Sequence, residues 1–115
     1  MTRFKRGTVI LIRYPHSNRV TYKKRPALVV QDESAETGLA KRLVVAITSN
    51  LQRTGETRVF VARDSPEGEQ MGLLTNSVIM ADNIAAVIPR EADKVIGRCT
   101  VMPEVDSTLR KVLGL

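Results

Sequence analysis

Aromatic side chains supply only 3% of this 115-residue sequence, tryptophan is absent, and cysteine and histidine occur once each. The single Cys99 permits no intramolecular disulfide and brings too few thiolates for a zinc cluster, which fits a reducing compartment. The single His16 leaves too few ring nitrogens for a usual catalytic zinc centre. HExxH, GxGxxG, a Walker loop and a nucleophile elbow are all missing. The chemistry expected here therefore needs neither zinc nor a nucleotide cofactor. No apolar run approaches the roughly 20 residues that cross a bilayer. Arg3, Lys5 and Arg6 precede only the short segment Val9 to Ile12, too little for a secretory signal. A cytoplasmic protein with no membrane role is the expectation.

One sign of charge is missing from the start of the chain. The first 31 residues hold eight Lys or Arg and no carboxylate before Asp32, and the whole sequence carries a formal charge of +6. A polyanion approaching the segment His16 to Arg25 meets cations and no acidic neighbour in sequence, so nucleic acid is the first partner the composition suggests.

A hydrophobic content of 43% against 26% charged residues supports a packed core, and the length suits one domain spanning residues 1–115. Thr8 to Tyr14, Ala27 to Val30 and Leu43 to Thr48 are short and rich in branched side chains, which predicts strands. Thr57 to Ala62, Asn76 to Ala81 and Ile84 to Ile88 add three more, the last ended by Pro89. Gln31 to Lys41 and the acidic Arg63 to Met71 are predicted as surface loops. From Pro103 the period changes: Val105, Leu109, Val112 and Leu113 form one apolar stripe of a helix. Glu104 and Asp106 sit at its positive end, Arg110 and Lys111 at its negative end. A mainly β (α+β) fold, a small barrel with a C-terminal helix laid against it, is the economical architecture.

Cations and hydroxyls suffice for one reaction class. In RNA cleavage the substrate brings its own nucleophile, and the protein aligns it and stabilises phosphoryl charge. Arg25, set by Pro26 at the mouth of the ALVV strand, suits a two-donor grip on phosphate oxygens. Thr48 offers a hydroxyl where a strand gives way to the Ser49–Asn50 loop; the same three residues also suit a turn cap. His16 is the one side chain that ordinarily exchanges protons near neutrality. Lys23 and Lys24 suit phosphate contacts, Arg19 serves either as a contact or as a solubilising charge, and Tyr22 suits stacking on an unpaired base. Asp82 either orients a basic group or caps a turn between two strands, and Cys99 reads as buried packing.

These segments, in this order, resemble the MazF/PemK family of toxin endoribonucleases over nearly the whole chain. The resemblance is carried by RGTVILIRYP, by KRPALVV (Lys24 to Val30), by VVAITSN (Val44 to Asn50), by GLLTNSVIMADNI (Gly72 to Ile84), by IGR (Ile96 to Arg98) and by the terminal helix. It implies an SH3-like β-barrel, a homodimer, and metal-independent cleavage of single-stranded RNA at short motifs by 2′-hydroxyl attack. It also implies an inhibitory antitoxin, often acidic, that competes for the RNA groove. Arg25 matches the family's catalytic arginine and Thr48 its catalytic threonine; Ser49, Asn50 and Asp82 are expected to contact the RNA. Val20 stands where the family usually has an acid, Asn83 replaces a frequent Gln, and Met80 occupies the place of a catalytic Arg in one branch. The general base is then His16 or the substrate's own surroundings. A weak or inactive RNA- or antitoxin-binding module and, further off, a gyrase-directed toxin are the alternatives.

Overall fold

The computed structural model describes residues 4–15, 22–35 and 37–115. His16, Arg19 and Val20 lie outside them. Strands β1 (Thr8–Pro15), β2 (Tyr22–Val29), β3 (Arg42–Thr48), β4 (Arg58–Val61), β5 (Ser77–Val87) and β6 (Ala92–Arg98) alternate with two helices, α1 (Pro66–Gln70) and α2 (Met102–Leu113). Among the described residues the strands make one antiparallel sheet in the order β4-β5-β3-β2-β1-β6.

The central strands are apolar on both faces, which is why VILI, ALVV and LVVAI read as continuous runs rather than alternating ones. Val9, Leu28 and Val45 enter one cluster with Ile79, Met71 and Val105, while Ile10, Ala27, Val29 and Val44 enter a second with Phe4. Each large side chain taken fully out of water contributes about 1.5–3 kcal/mol. The edge strand β4 alternates instead: Val59 and Val61 are buried and Phe60 is exposed.

The expected barrel is not formed. The sheet ends at β4 and β6, and no described pair joins them. Helix α1 bridges the two ends in place of a ladder. Its Gly68 lies so close to the Ala62 carbonyl, just beyond β4, that an added Cβ would sit 2.1 Å from that oxygen. At its far end a Cβ on Gly72 would lie 2.1 Å from the Ile96 carbonyl, and one on Gly97 would lie 2.3 Å from the Gln70 carbonyl. Backbone therefore presses on backbone where strand pairing would have closed the sheet.

Helix α1 itself falls inside the predicted loop Arg63 to Met71. Ser65 caps it by accepting the Gly68 N–H at 3.0 Å, and Pro66 opens its first turn. Two of the predicted strands are one: β5 runs unbroken through Asp82 and Asn83. Its register against β3 jumps from Val45↔Ile84 to Ala46↔Met80, so Ala81, Asp82 and Asn83 bulge out of the ladder. Strand β6 has no counterpart in the sequence reading, because Asp93 and Lys94 break its apolar pattern and suit an edge.

Helix α2 matches the expected span. Glu104 stands in its first turn, Arg110 and Lys111 in its last, and Gly114 ends it at φ 71°. Val105 and Thr108 face the sheet, while Leu113, placed on the stripe by periodicity, is exposed. Arg6 ties the helix to the sheet by donating through Nε to the Val30 carbonyl at 2.8 Å and pairing with Asp106. Neither helix of the structure is long and apolar enough to cross a membrane.

Cys99 is buried beside α2, and burial pushes its thiol pKa up. It is expected to resist a thiol reagent in the folded protein and to react at least about tenfold faster in denaturant; equal rates would contradict its burial. Gly97→Ala is expected to lower the unfolding free energy by about 1–3 kcal/mol through backbone overpacking. Urea titration checks this, and an unchanged midpoint would contradict the bridge.

Candidate functional site

Rungs between β2 and β3 run Val29↔Val44, Leu28↔Val45 and Ala27↔Ala46. The last recorded rung falls at Ala27, immediately before Pro26, which has no N–H to donate. Continuing the same register by two residues sets Arg25 of β2 across from Thr48 of β3. Two cavities open at this strand end, each of about 520 Å³, and both are lined by Arg25 and Thr48.

The first cavity is walled by Leu11, Pro26, Ile47, Leu73 and Val95, with Lys23, Lys24 and Lys94 among its lining and Ser49 beside Thr48. The second is polar: Arg53, Arg58, Asp82, Asn50 and Asn83 line it with Met80 and Ile84. A phosphate at the shared Arg25–Thr48 junction would thus have an apolar recess on one side and a hydrogen-bonding recess on the other.

The turn-cap reading of Thr48 is met in the geometry, and the residue also lines both cavities. Its Oγ1 accepts the Asn50 N–H at 3.1 Å, and the Asn50 Oδ1 accepts the Gln52 N–H at 3.1 Å, so the segment caps its own turn. A hydroxyl that accepts in such a turn still has one proton to donate. The side chain of Arg25 is exposed and has no hydrogen bond or ion pair to another described residue. No described residue competes with a ligand for the donors of this guanidinium.

The neighbouring cations divide into two groups. Lys24 Nζ meets Asp93 at 3.1 Å, and Arg13 reaches the same carboxylate at 3.6 Å. The Lys24 hydrogen bond, followed by the charges of Lys24 and Arg13, holds the Asp93 carboxyl below its ordinary pKa. The side chain of Lys23 is exposed and has no ion pair or hydrogen bond to a described residue. Asp82 grips Arg58 rather than capping a turn, since it lies in the β5 bulge and not between two strands.

Of the residues selected from sequence, Arg25, Lys23, Lys24, Thr48 and Ser49 line the first cavity, and Arg25, Thr48, Asn50 and Asp82 line the second. Tyr22 opens β2, paired with Pro15 of β1. His16 and Arg19 fall outside the described residues. Arg53, Arg58 and Lys94 escaped sequence reasoning. Arg58 carries a weak signal, an Arg starting an alternating RVFV strand; Lys94 carries none, because its strand was not legible. Among the described residues, no three His, Cys, Asp or Glu side chains are grouped as metal ligands.

Solved structures share this fold. An endoribonuclease of a mycobacterial species, solved in complex with its cognate antitoxin, superposes with a TM-score of 0.72 at 26% identity, over 96% of this chain and 95% of that one. The Mycobacterium tuberculosis toxin MazF-mt6 gives 0.68 at 21% identity over 92% of this chain and 97% of that one. A MazE–MazF structure from Deinococcus radiodurans gives 0.72 at 18% identity over 96% of both chains, a likeness of fold alone. A comparison with curated protein sequences gives no match. The family described as the PemK-like, MazF-like toxin of type II toxin–antitoxin systems matches residues 5–113. With that match running from before β1 to the end of α2, the chain belongs to the MazF/PemK family of toxin endoribonucleases.

Proposed function

We propose that this chain cuts single-stranded RNA at the Arg25–Thr48 junction, without a metal, and that a cognate antitoxin restrains it in the cytoplasm. The observation that carries the reading is the convergence of a guanidinium with no side-chain partner among the described residues and a strand-end hydroxyl at the meeting point of two recesses of about 520 Å³ each. In the reaction the 2′-oxygen bonds to the adjacent phosphorus, the bond from phosphorus to the 5′-oxygen breaks, and the 2′-proton passes to a base. The departing 5′-oxygen takes up a proton. The products are a 2′,3′-cyclic phosphate and a 5′-hydroxyl end.

Arg25 stabilises the extra negative charge of the pentacoordinate phosphorus, a task suited to a permanently charged fork. Thr48 donates to a phosphoryl oxygen while its turn holds it still. His16, or the substrate's own surroundings, accepts the 2′-proton. Lys23, Lys24 and Arg19 draw in the backbone, and Tyr22 stacks on a base. A homodimer would extend this groove, and an acidic antitoxin segment would compete with RNA for the same donors.

Arg25→Ala is expected to slow single-turnover cleavage by about 10²–10³-fold, with a much smaller change in RNA affinity. Equal rates for the two proteins would reject the assignment. Wild-type cleavage should survive EDTA and leave cyclic phosphate ends detectable by mass spectrometry; loss of activity with EDTA would reject the metal-free step. Asp93→Asn frees Lys24 and Arg13 from their shared partner. It should tighten RNA binding about 1.5–5-fold at low salt, the scale of an exposed ion pair, with the gain fading as salt rises. Weaker binding would contradict the neutralising role of Asp93.

A further inference from the structure

Arg58 and Asp82 meet fork to fork in the polar cavity: Nε donates to Oδ1 at 3.1 Å and Nη2 to Oδ2 at 2.8 Å. The third nitrogen, Nη1, donates to the Thr54 carbonyl at 3.4 Å. This guanidinium is therefore committed to holding a carboxylate, in contrast to Arg25. The side chains are 21% and 36% exposed, so Asp82 keeps a face open to the cavity. Arg58 is level with Met80 in the β4–β5 ladder, and Asp82, two residues further along β5, is its diagonal neighbour, within reach of a long side chain.

The fork consumes the inner lone pair of each carboxylate oxygen. The outer lone pairs diverge, which rules out a second two-pronged contact and leaves single acceptors. Unlike an amide, a carboxylate held in this way cannot turn a donor toward the ligand. Met80 and Ile84 supply an apolar wall for a ring, while Asn50, Asn83 and Arg53 supply polar edges around it. A wall of that kind with a few fixed polar groups is what an unstacked base requires.

We infer that Asp82, held by Arg58, selects a base bearing an exocyclic amino group, and rejects uracil, at a nucleotide beside the cut. The inference rests on the cleavage reading of the Arg25–Thr48 junction. An amino group gives the outer lone pair a donor, whereas uracil has no exocyclic donor and turns carbonyl oxygens toward the carboxylate on both sides of its ring N–H. Asp82 is thus the specificity-determining residue, and Arg58 a positioning residue that acts through it.

The test maps cleavage ends in a randomised RNA pool and, in parallel, sequences the fraction of a 2′-O-methyl version of that pool retained by the protein. Wild type is expected to disfavour uracil about tenfold or more at one position within two nucleotides of the cut. Asp82→Asn should erase that bias in both assays, Arg58→Gln should weaken it, and Arg58→Lys should restore part of it. Cleavage with no uracil bias, or with a bias that survives Asp82→Asn, overturns the inference while leaving the cleavage reading intact. No cleavage, but an Asp82-dependent uracil bias in the retained pool, supports the recognition and overturns the cleavage. A bias lost in Asp82→Asn but unchanged in Arg58→Gln removes Arg58 from the proposal.

Discussion

The antiparallel register of β2 on β3 is the constraint on which the site depends. Three rungs between buried Ala27, Leu28 and Val29 and their partners fix which residue faces which across the strand gap. The side chains on those rungs are apolar on both faces of the sheet, so a slip by one residue would exchange two well-packed clusters and is strongly opposed. The core thereby dictates that Arg25 and Thr48 emerge together where the ladder stops. Pro26 lies at that boundary, and the groove opens beyond it.

Charge is distributed with the same economy. Several cations are spent within the fold: Arg6 on Asp106, Arg58 on Asp82, Lys24 and Arg13 on Asp93, and Lys111 on Glu56. Their carboxylates sit at the surface, where such pairs contribute about 1 kcal/mol or less. Arg25 and Lys23 remain unmatched among the described residues, and both line the apolar cavity. Part of the net charge of +6 is therefore expressed at the groove. An anion entering there meets donors that need not be taken from another partner.

Much of this was legible in the residues. Branched runs gave β1 and β3 nearly to the residue, and helix α2 followed from its stripe, its proline and its charged ends. Arg25 and Thr48 stood out because Pro26 and the TSN turn are local signals. Contacts made only in three dimensions were not legible. The α1 bridge depends on Gly72 and Gly97 meeting backbone far away in sequence, and it replaced the expected barrel closure. Arg58 and Asp82, 24 residues apart, meet across a strand pairing that no propensity announces. For α1 the cue was present in Ser65-Pro66, a cap followed by a first-turn proline, but the acidic residues around it read as a loop.

The central claim is that one RNA phosphate sits between the guanidinium of Arg25 and the hydroxyl of Thr48. A crystal structure with an RNA made uncleavable by a 2′-deoxy sugar at the cut would test it most directly. The account predicts the scissile phosphate within hydrogen-bond reach of both side chains, with the flanking bases in the two cavities. RNA bound with that phosphate on another face of the sheet, away from the ends of β2 and β3, would contradict it.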